Sequence, residues 1–259
     1  MDKISAIAEK LSNDWWAPRA AYEKLSGELA PSGIDEAYAA QTAVQAKLSE
    51  RRGAFAGRKI ALSSKAMQEM VGIDQPVAGA FFANDVHRSP ATIRLSDFRH
   101  LGLECELAME LNRDIAPGGA AFTATSAAEV IAAVRPAFEL IEDKDADYSD
   151  LDVLTLMADN AWCGGVVLGS EIAGWREIDL SNTAAEVRQT GVDAEAANTG
   201  AADPLGSLAW VLNHFAGRGV TLHKGEHIIT GSAVRTRFPA AGDKVSYTAA
   251  GAAVEIEVI

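Results

Sequence analysis

The chain has 259 residues, 48% of them hydrophobic and 23% charged, with a formal net charge of −13. That length can bury a large core, as one domain or as a domain with a smaller appendage. The acidic balance, with no Lys/Arg cluster, excludes a phosphate-binding nucleic-acid surface and docking on anionic membranes, and no apolar run reaches the length of a membrane span.

Residues 3 to 12 place Ile4, Ile7, Ala8 and Leu11 at helical spacing, with Asn13 as a stop. Asp2, Glu9 and Asp14 among these residues do not read as a signal peptide. Trp15 and Trp16 follow as an aromatic pair, expected to bury against the main body or to anchor a subunit contact. Ser32 with Asp35 three residues on reads as a helix cap. The helix it opens uses Ile34, Ala37, Tyr38, Ala40, Val44 and Leu48, and stops at Arg51-Arg52-Gly53. Residues 1–53 are thus expected to form a helical N-terminal part, and 54–259 a second unit. Gly57 to Leu62 reads as a strand, Lys65 to Val71 as a short helix, Gly72 to Pro76 as a turn, and Ala80 to Asp85 as a strand running into a site. Ser126 to Glu129 resembles a capping box that opens a helix to about Val134. Pro136 to Glu142 and Cys163 to Leu168 read as strands, and Asp203-Pro204 as the start of a helix. His227 to Ser232 reads as a strand into a turn, and the chain closes with a hairpin of Val245–Thr248 and Val254–Ile259.

The stretch that carries chemistry is His100 to Leu111. Leu103, Cys105, Leu107 and Met109 share one parity, while Glu104, Glu106, Ala108 and Glu110 share the other. A period of two sends these sets to opposite faces of a strand. Glu104 and Glu106 then stand about 7 Å apart at ~3.3 Å of rise per residue. Two readings follow. The face is wet and the glutamates serve solubility, or the carboxylates share a hard divalent cation, magnesium, calcium or manganese rather than zinc. Glu139, flanked by Phe138 and Leu140-Ile141, either joins them as a third oxygen ligand or lies on a wet face of its own strand. Lys59 either snorkels to water or steers an anion and moves protons. The five histidines show no zinc spacing, and no nucleophile elbow or phosphate loop is present. The two cysteines, Cys105 and Cys163, read as buried thiols, so a reducing, cytoplasmic compartment is expected.

Several of these segments occur together in one family. Gly57-Arg58-Lys59-Ile60-Ala61-Leu62, Gly72-Ile73-Asp74-Gln75-Pro76, Glu104-Cys105-Glu106 with Leu111-Asn112-Arg113-Asp114, Pro136-Ala137-Phe138-Glu139, Ala158-Asp159-Asn160-Ala161 and Ile229-Thr230-Gly231-Ser232 fall in one order. In that order and spacing the chain resembles the 2-keto-4-pentenoate hydratases and 4-oxalocrotonate decarboxylases of the fumarylacetoacetate hydrolase superfamily, from about residue 30 onward. The resemblance implies an α+β fold with a mixed β-roll or sandwich core and a helical N-terminal part. It implies Mg²⁺ or Mn²⁺ held by Glu104, Glu106 and Glu139, with Lys59 in the active site. It places Asp159, Asn160, Gly231 and Ser232 at the substrate. Family members commonly carry an aspartate where this chain has Asn84, with Asp85 next to it, so either residue is a candidate for proton transfer. The His- and Glu-bearing lid segment of the hydrolase branch is missing, which disfavours C–C bond hydrolysis. The implied activity is hydration of a small-molecule 2-hydroxy-2,4-dienoate in the catabolism of aromatic meta-cleavage products. The alternatives are decarboxylation of a 2-oxo-enedioate, with Arg235 as candidate cation for its distal carboxylate, or a non-catalytic subunit. A homo-oligomer, and a complex with a neighbouring pathway enzyme, are the implied assemblies.

Overall fold

The computed structural model describes residues 2–17 and 20–259. In chain order the elements are α1 (Lys3–Trp16), α2 (Ile34–Arg52), β1 (Phe55–Ala61), α3 (Lys65–Val71), β2 (Val77–Phe82), β3 (Val86–Arg88), β4 (Ala91–Ile93), β5 (Leu101–Leu111), α4 (Ala124–Ala128) and β6 (Ile131–Glu142). Then follow α5 (Val153–Ala158), β7 (Cys163–Leu168), β8 (Ala184–Gln189), β9 (Val192–Asn198), α6 (Pro204–Gly217), β10 (His227–Ile229), β11 (Lys244–Ala249) and β12 (Ala252–Val258). A seven-stranded sheet has the order β2-β1-β10-β5-β6-β7-β3, and a five-stranded sheet the order β4-β12-β11-β8-β9. This is the expected α+β architecture of curled mixed sheets with helices at the N-terminus. No helix among the described residues is long and apolar enough to cross a membrane.

The two sheets share one core. Leu103, Cys105, Leu107, Met109 and Phe138 from the larger sheet meet Val187, Val245, Tyr247, Val254 and Ile256 from the smaller. Leu208, Val211, Leu212 and Phe215 of α6 close the same cluster. α1 and α2 form a second cluster through Ile7, Leu11, Ala40, Val44 and Leu48, which takes in Phe82 and Ala158. α1 is capped by Asp2, whose side chain accepts the Ser5 N–H, and α2 ends on Gly53 at a φ of 85°.

Local signals erred in three places. Gly33, not Ser32, is the N-cap of α2, and Glu36 reaches back to accept the Ser32 N–H at 2.5 Å. Ser126 belongs to a capping box with Thr123 as cap, in a helix that ends at Ala128. By Ile131 the chain has entered β6, where Ile131 pairs with Leu111 and Val134 with Met109. Burial of Ile131, Ala133 and Val134 across that long ladder overrides the helix signal. The hairpin β8–β9 was not expected, because only Ala185 and Val187 of its first strand are buried and its second strand is almost wholly exposed.

His214 on α6 lies between the rings of Trp210 and Tyr38, with centroids 4.8 and 4.7 Å away. Burial, with Arg218 adding to it, lowers its pKa to about 4. The folded state therefore resists the proton that the unfolded chain takes up near pH 6.5, so stability is lost as pH falls from 6.5 towards 4. His214→Phe removes this linkage. Unfolding followed at several pH values is expected to show the unmodified protein losing about 2 kcal/mol more than His214→Phe over that window, with no such divergence above pH 7.

Candidate active site

Cross-strand register sets the site. Glu104 on β5 is paired with Glu139 on β6, and Glu106 with Ala137 two residues along. Opposed residues of an antiparallel pair bring their Cβ atoms within ~5 Å of each other. One carboxylate oxygen from each of Glu104, Glu106 and Glu139 accordingly lies within 4.8 Å of the others. β1 sends two neighbouring cations to opposite faces. Arg58 is buried over the rings of Phe55 and Phe215 and pairs with Glu226 at 3.4 Å. Lys59 turns to the carboxylates: its Nζ is 2.5 Å from Glu139 Oε1 and donates to the Ala161 carbonyl at 3.0 Å. The lysine is 1% exposed and Glu139 0%, so neither the snorkelling lysine nor the wet glutamate face describes this molecule.

Two further groups orient the glutamates. Gly231, just beyond β10, donates its N–H to Glu106 Oε2 at 2.6 Å. Its φ is 93°, and a Cβ there would come within 3.0 Å of Ser63 Oγ, so glycine suits both the backbone and the space. The Thr236 hydroxyl donates to Glu104 Oε1 at 3.0 Å.

Three carboxylates against one ammonium leave an excess of two negative charges. Burial, then repulsion from Glu139 and Glu104, holds the Glu106 carboxyl well above the carboxylate range. Burial likewise pushes Glu139 up to about 7 against the pull of Lys59. Burial opposes the Lys59 ammonium too, but the attraction of Glu139 outweighs it and holds the lysine above its ordinary range. Glu106 Oε1 and Glu139 Oε2 are buried without a hydrogen-bond partner among the described residues. An all-oxygen, doubly anionic set with orphaned oxygens fits a hard divalent cation.

The other expected site residues lie elsewhere. Asn84 is exposed and donates to the Arg51 carbonyl at 3.1 Å. Asp85 pairs with Arg52 at 2.6 Å, and burial raises its carboxyl although Arg52 pulls it down. Both line a separate cleft of about 750 Å³, with Trp15, Phe98, Glu142 and Lys144, to which none of the three clustered glutamates contributes. Asp159 is 1% exposed and held by Lys144 and by Trp15 Nε1. Asn160 is 0% exposed and bonded to the backbone of Ala80. Ser232 uses its hydroxyl on the Cys105 N–H and the Val234 carbonyl. Arg235 is exposed. The structure thus gathers Glu104, Glu106, Glu139, Lys59 and Gly231, and gives Asp159, Asn160 and Ser232 partners within the protein itself. The reading of the sequence missed Thr236 and the Ala161 carbonyl. A backbone acceptor and a hydroxyl on an irregular segment leave no periodic signal to find them by.

No family model matches the chain. Individual proteins do. A 2-keto-4-pentenoate hydratase of Burkholderia vietnamiensis is 33% identical over 180 residues, 68% of this chain and 67% of that protein. A 4-oxalocrotonate decarboxylase of Pseudomonas putida is 26% identical over 254 residues, 95% of this chain and 92% of its own length. Among solved structures, the 4-oxalocrotonate decarboxylase of Pseudomonas putida G7 complexed with magnesium and adipate superposes with a TM-score of 0.87 at 22% identity, covering 99% of this chain and 97% of that one. Fold and identity to the hydratases agree: the chain belongs to the 2-keto-4-pentenoate hydratase family.

Proposed function

We propose that this protein adds water to a 2-hydroxy-2,4-dienoate to give a 4-hydroxy-2-oxo acid, in the breakdown of aromatic meta-cleavage products. The observation that carries this reading is the buried cluster of Glu104, Glu106 and Glu139 with the Lys59 ammonium against it. Glu104, Glu106 and Glu139 would hold Mg²⁺ or Mn²⁺, which when bound supplies Lewis-acid stabilisation for the C1 carboxylate and C2 oxygen of the acid. The chain's own groups do the remainder. Lys59 holds positive potential where negative charge grows on the substrate, and its ammonium is the proton carrier we assign. The enol proton leaves the C2 oxygen and C5 is protonated, so a C3=C4 double bond stays conjugated with the new ketone. Water then adds across it, oxygen to C4 and hydrogen to C3. Asp85 is tied to Arg52, so we give that proton to Lys59.

Residues 1–53 brace a catalytic part spanning 54–259 in this reading. Exposed Phe55, Met70 and Phe238 support a homo-oligomer, or a complex with a neighbouring pathway enzyme. The free buried thiols Cys105 and Cys163 support a cytoplasmic setting.

A second reading is decarboxylation of a 2-oxo-enedioate, favoured by the long alignment with the named decarboxylase. It requires a cation for the distal carboxylate, and Arg235 is the candidate. The two are separated by mass spectrometry of products from a panel of 2-hydroxy-dienoates incubated with the protein and Mg²⁺. Gain of one water by the monocarboxylic acids is expected. Release of CO₂ from a dicarboxylic acid, with the monoacids untouched, would reverse the order of the two readings.

A further inference from the structure

The backbone from Asn160 to Trp162 is wound in the left-handed sense. Its three residues have φ angles of 57°, 48° and 58°, and none is glycine. L-residues avoid this region because Cβ crowds the following carbonyl, and such a turn persists only where its surroundings over-determine it. Here they do. The Asn160 carboxamide occupies both backbone groups of Ala80, donating to the carbonyl at 2.8 Å and accepting the N–H at 2.9 Å. Its Oδ1 also accepts the Gln45 Nε2 donor from α2 at 2.8 Å. Gln41, one turn earlier, donates to the Ala78 and Met157 carbonyls, both at 2.7 Å. Gly79 leaves the space this needs: a Cβ there would stand 2.8 Å from the Asn160 carbonyl oxygen and 3.0 Å from the Lys59 stem.

The turn delivers one group to the site, the Ala161 carbonyl, which accepts from Lys59 Nζ at 3.0 Å. An ammonium has three N–H donors in a fixed tetrahedral arrangement. Ala161 takes one of them, and the Glu139 carboxylate, paired with the ammonium at 2.5 Å, holds it from a second side, so the remaining N–H has a restricted direction. With Glu139 alone, the group could swivel about a single contact.

We propose that the left-handed turn, locked through Gln45, is a positioning device that aims the third N–H of Lys59 at the substrate. Gln45 and Asn160 are then positioning residues, and the helical N-terminal part sets the geometry of the proton carrier. The proposal rests on the role given to Lys59 above.

The test is a double-mutant cycle with a readout that needs no turnover. Gln45→Met keeps length and helix propensity but removes the donor to Asn160. In the unmodified protein it should lower kcat about tenfold with KM within about twofold, and in a Lys59→Met background it should change the rate by less than about twofold. In parallel, the Lys59 ammonium is observed by ¹⁵N NMR, assigned by its loss in Lys59→Met. Its proton exchange with solvent should quicken at least about tenfold in Gln45→Met, as expected when a buried donor loses a fixed acceptor. If circular dichroism shows that Gln45→Met does not fold, Gln45→Asn, one methylene too short to reach Asn160, carries the same cycle. Equal slowing in both backgrounds, or unchanged exchange, would overturn the proposal. Should no dienoate be turned over at all, the hydratase reading fails, while the exchange comparison still decides whether the turn holds the lysine.

Discussion

Lys59→Met is expected to fold and to turn over on the order of 10² times more slowly, with binding of the dienoate less affected. The argument starts from burial. The ammonium is 1% exposed and 2.5 Å from Glu139, so its charge is screened little by water. A unit charge pair at 4 Å and an effective dielectric of ~20 is worth about 4 kcal/mol before desolvation is subtracted. Much of that interaction strengthens as negative charge develops on the reacting acid, so its loss falls on kcat more than on KM. Methionine fills the lysine stem's volume and leaves no cavity. It does leave Glu139 without its cation, and breaking a buried pair ordinarily costs about 3–5 kcal/mol. Glu139 has a cheaper route: its carboxyl is already pushed up to about 7 by burial, so it can take a proton instead of standing charged. The expected record is a thermal midpoint only modestly lowered and a kcat lowered severely. A variant within a fewfold of the unmodified rate would remove Lys59 from the mechanism.

The second large effect concerns the cation. Protein stripped by a chelator is expected to be inactive, with Mg²⁺ or Mn²⁺ restoring activity and Zn²⁺ doing so poorly. Stability supplies an independent check, since a ligand present at about 100 times its Kd stabilises the folded state by about 2.7 kcal/mol. Glu106→Gln separates the contributions by sign. The amide oxygen can still accept the Gly231 N–H, but the cost of burying an ionisable carboxyl beside two others is gone. Without metal, this variant should therefore melt higher than the unmodified protein. With Mg²⁺ its midpoint should barely rise, while that of the unmodified protein climbs past it. Parallel melting curves at all Mg²⁺ concentrations would show that Glu106 does not hold the ion.

The carboxylate cluster was legible because strand periodicity is simple. Alternation over Leu103–Met109 sorted the two faces, and an isolated glutamate among apolar residues marked Glu139 as unusual. The same rule separates Arg58 from Lys59. What sequence could not supply was the identity of the covering layer. A polar residue such as Asn160 or Asp159 looks the same in a string whether it contacts a ligand or satisfies buried backbone, and only the positions of Ala80, Gln45 and Lys144 decide. The surroundings of Asn84 and Asp85 were illegible for a related reason. They do follow a strand into a cleft, but none of the three glutamates lines it, and no local pattern reports what lines the cleft that a strand end faces. At Ile131 a long ladder overrode a local helix signal.

The three-residue strand β10 lies between β1 and β5, parallel to the first and antiparallel to the second. Until residues 227–229 have been synthesised, the hydrogen-bonded ladder of the larger sheet is interrupted between two pieces, β2–β1 and β5–β6–β7–β3. During translation, then, Lys59 and Glu106 do not share a continuous sheet until that strand emerges, and the facing edges of β1 and β5 stand unpaired. Such open edges recruit other strands, and pairings so distant in sequence form slowly. The nascent chain is therefore prone to aggregate until residues 227–229 have emerged, and a ribosome stalled before His227 would display two sheet edges, with only contacts such as Asn160 to Ala80 to hold the two pieces together.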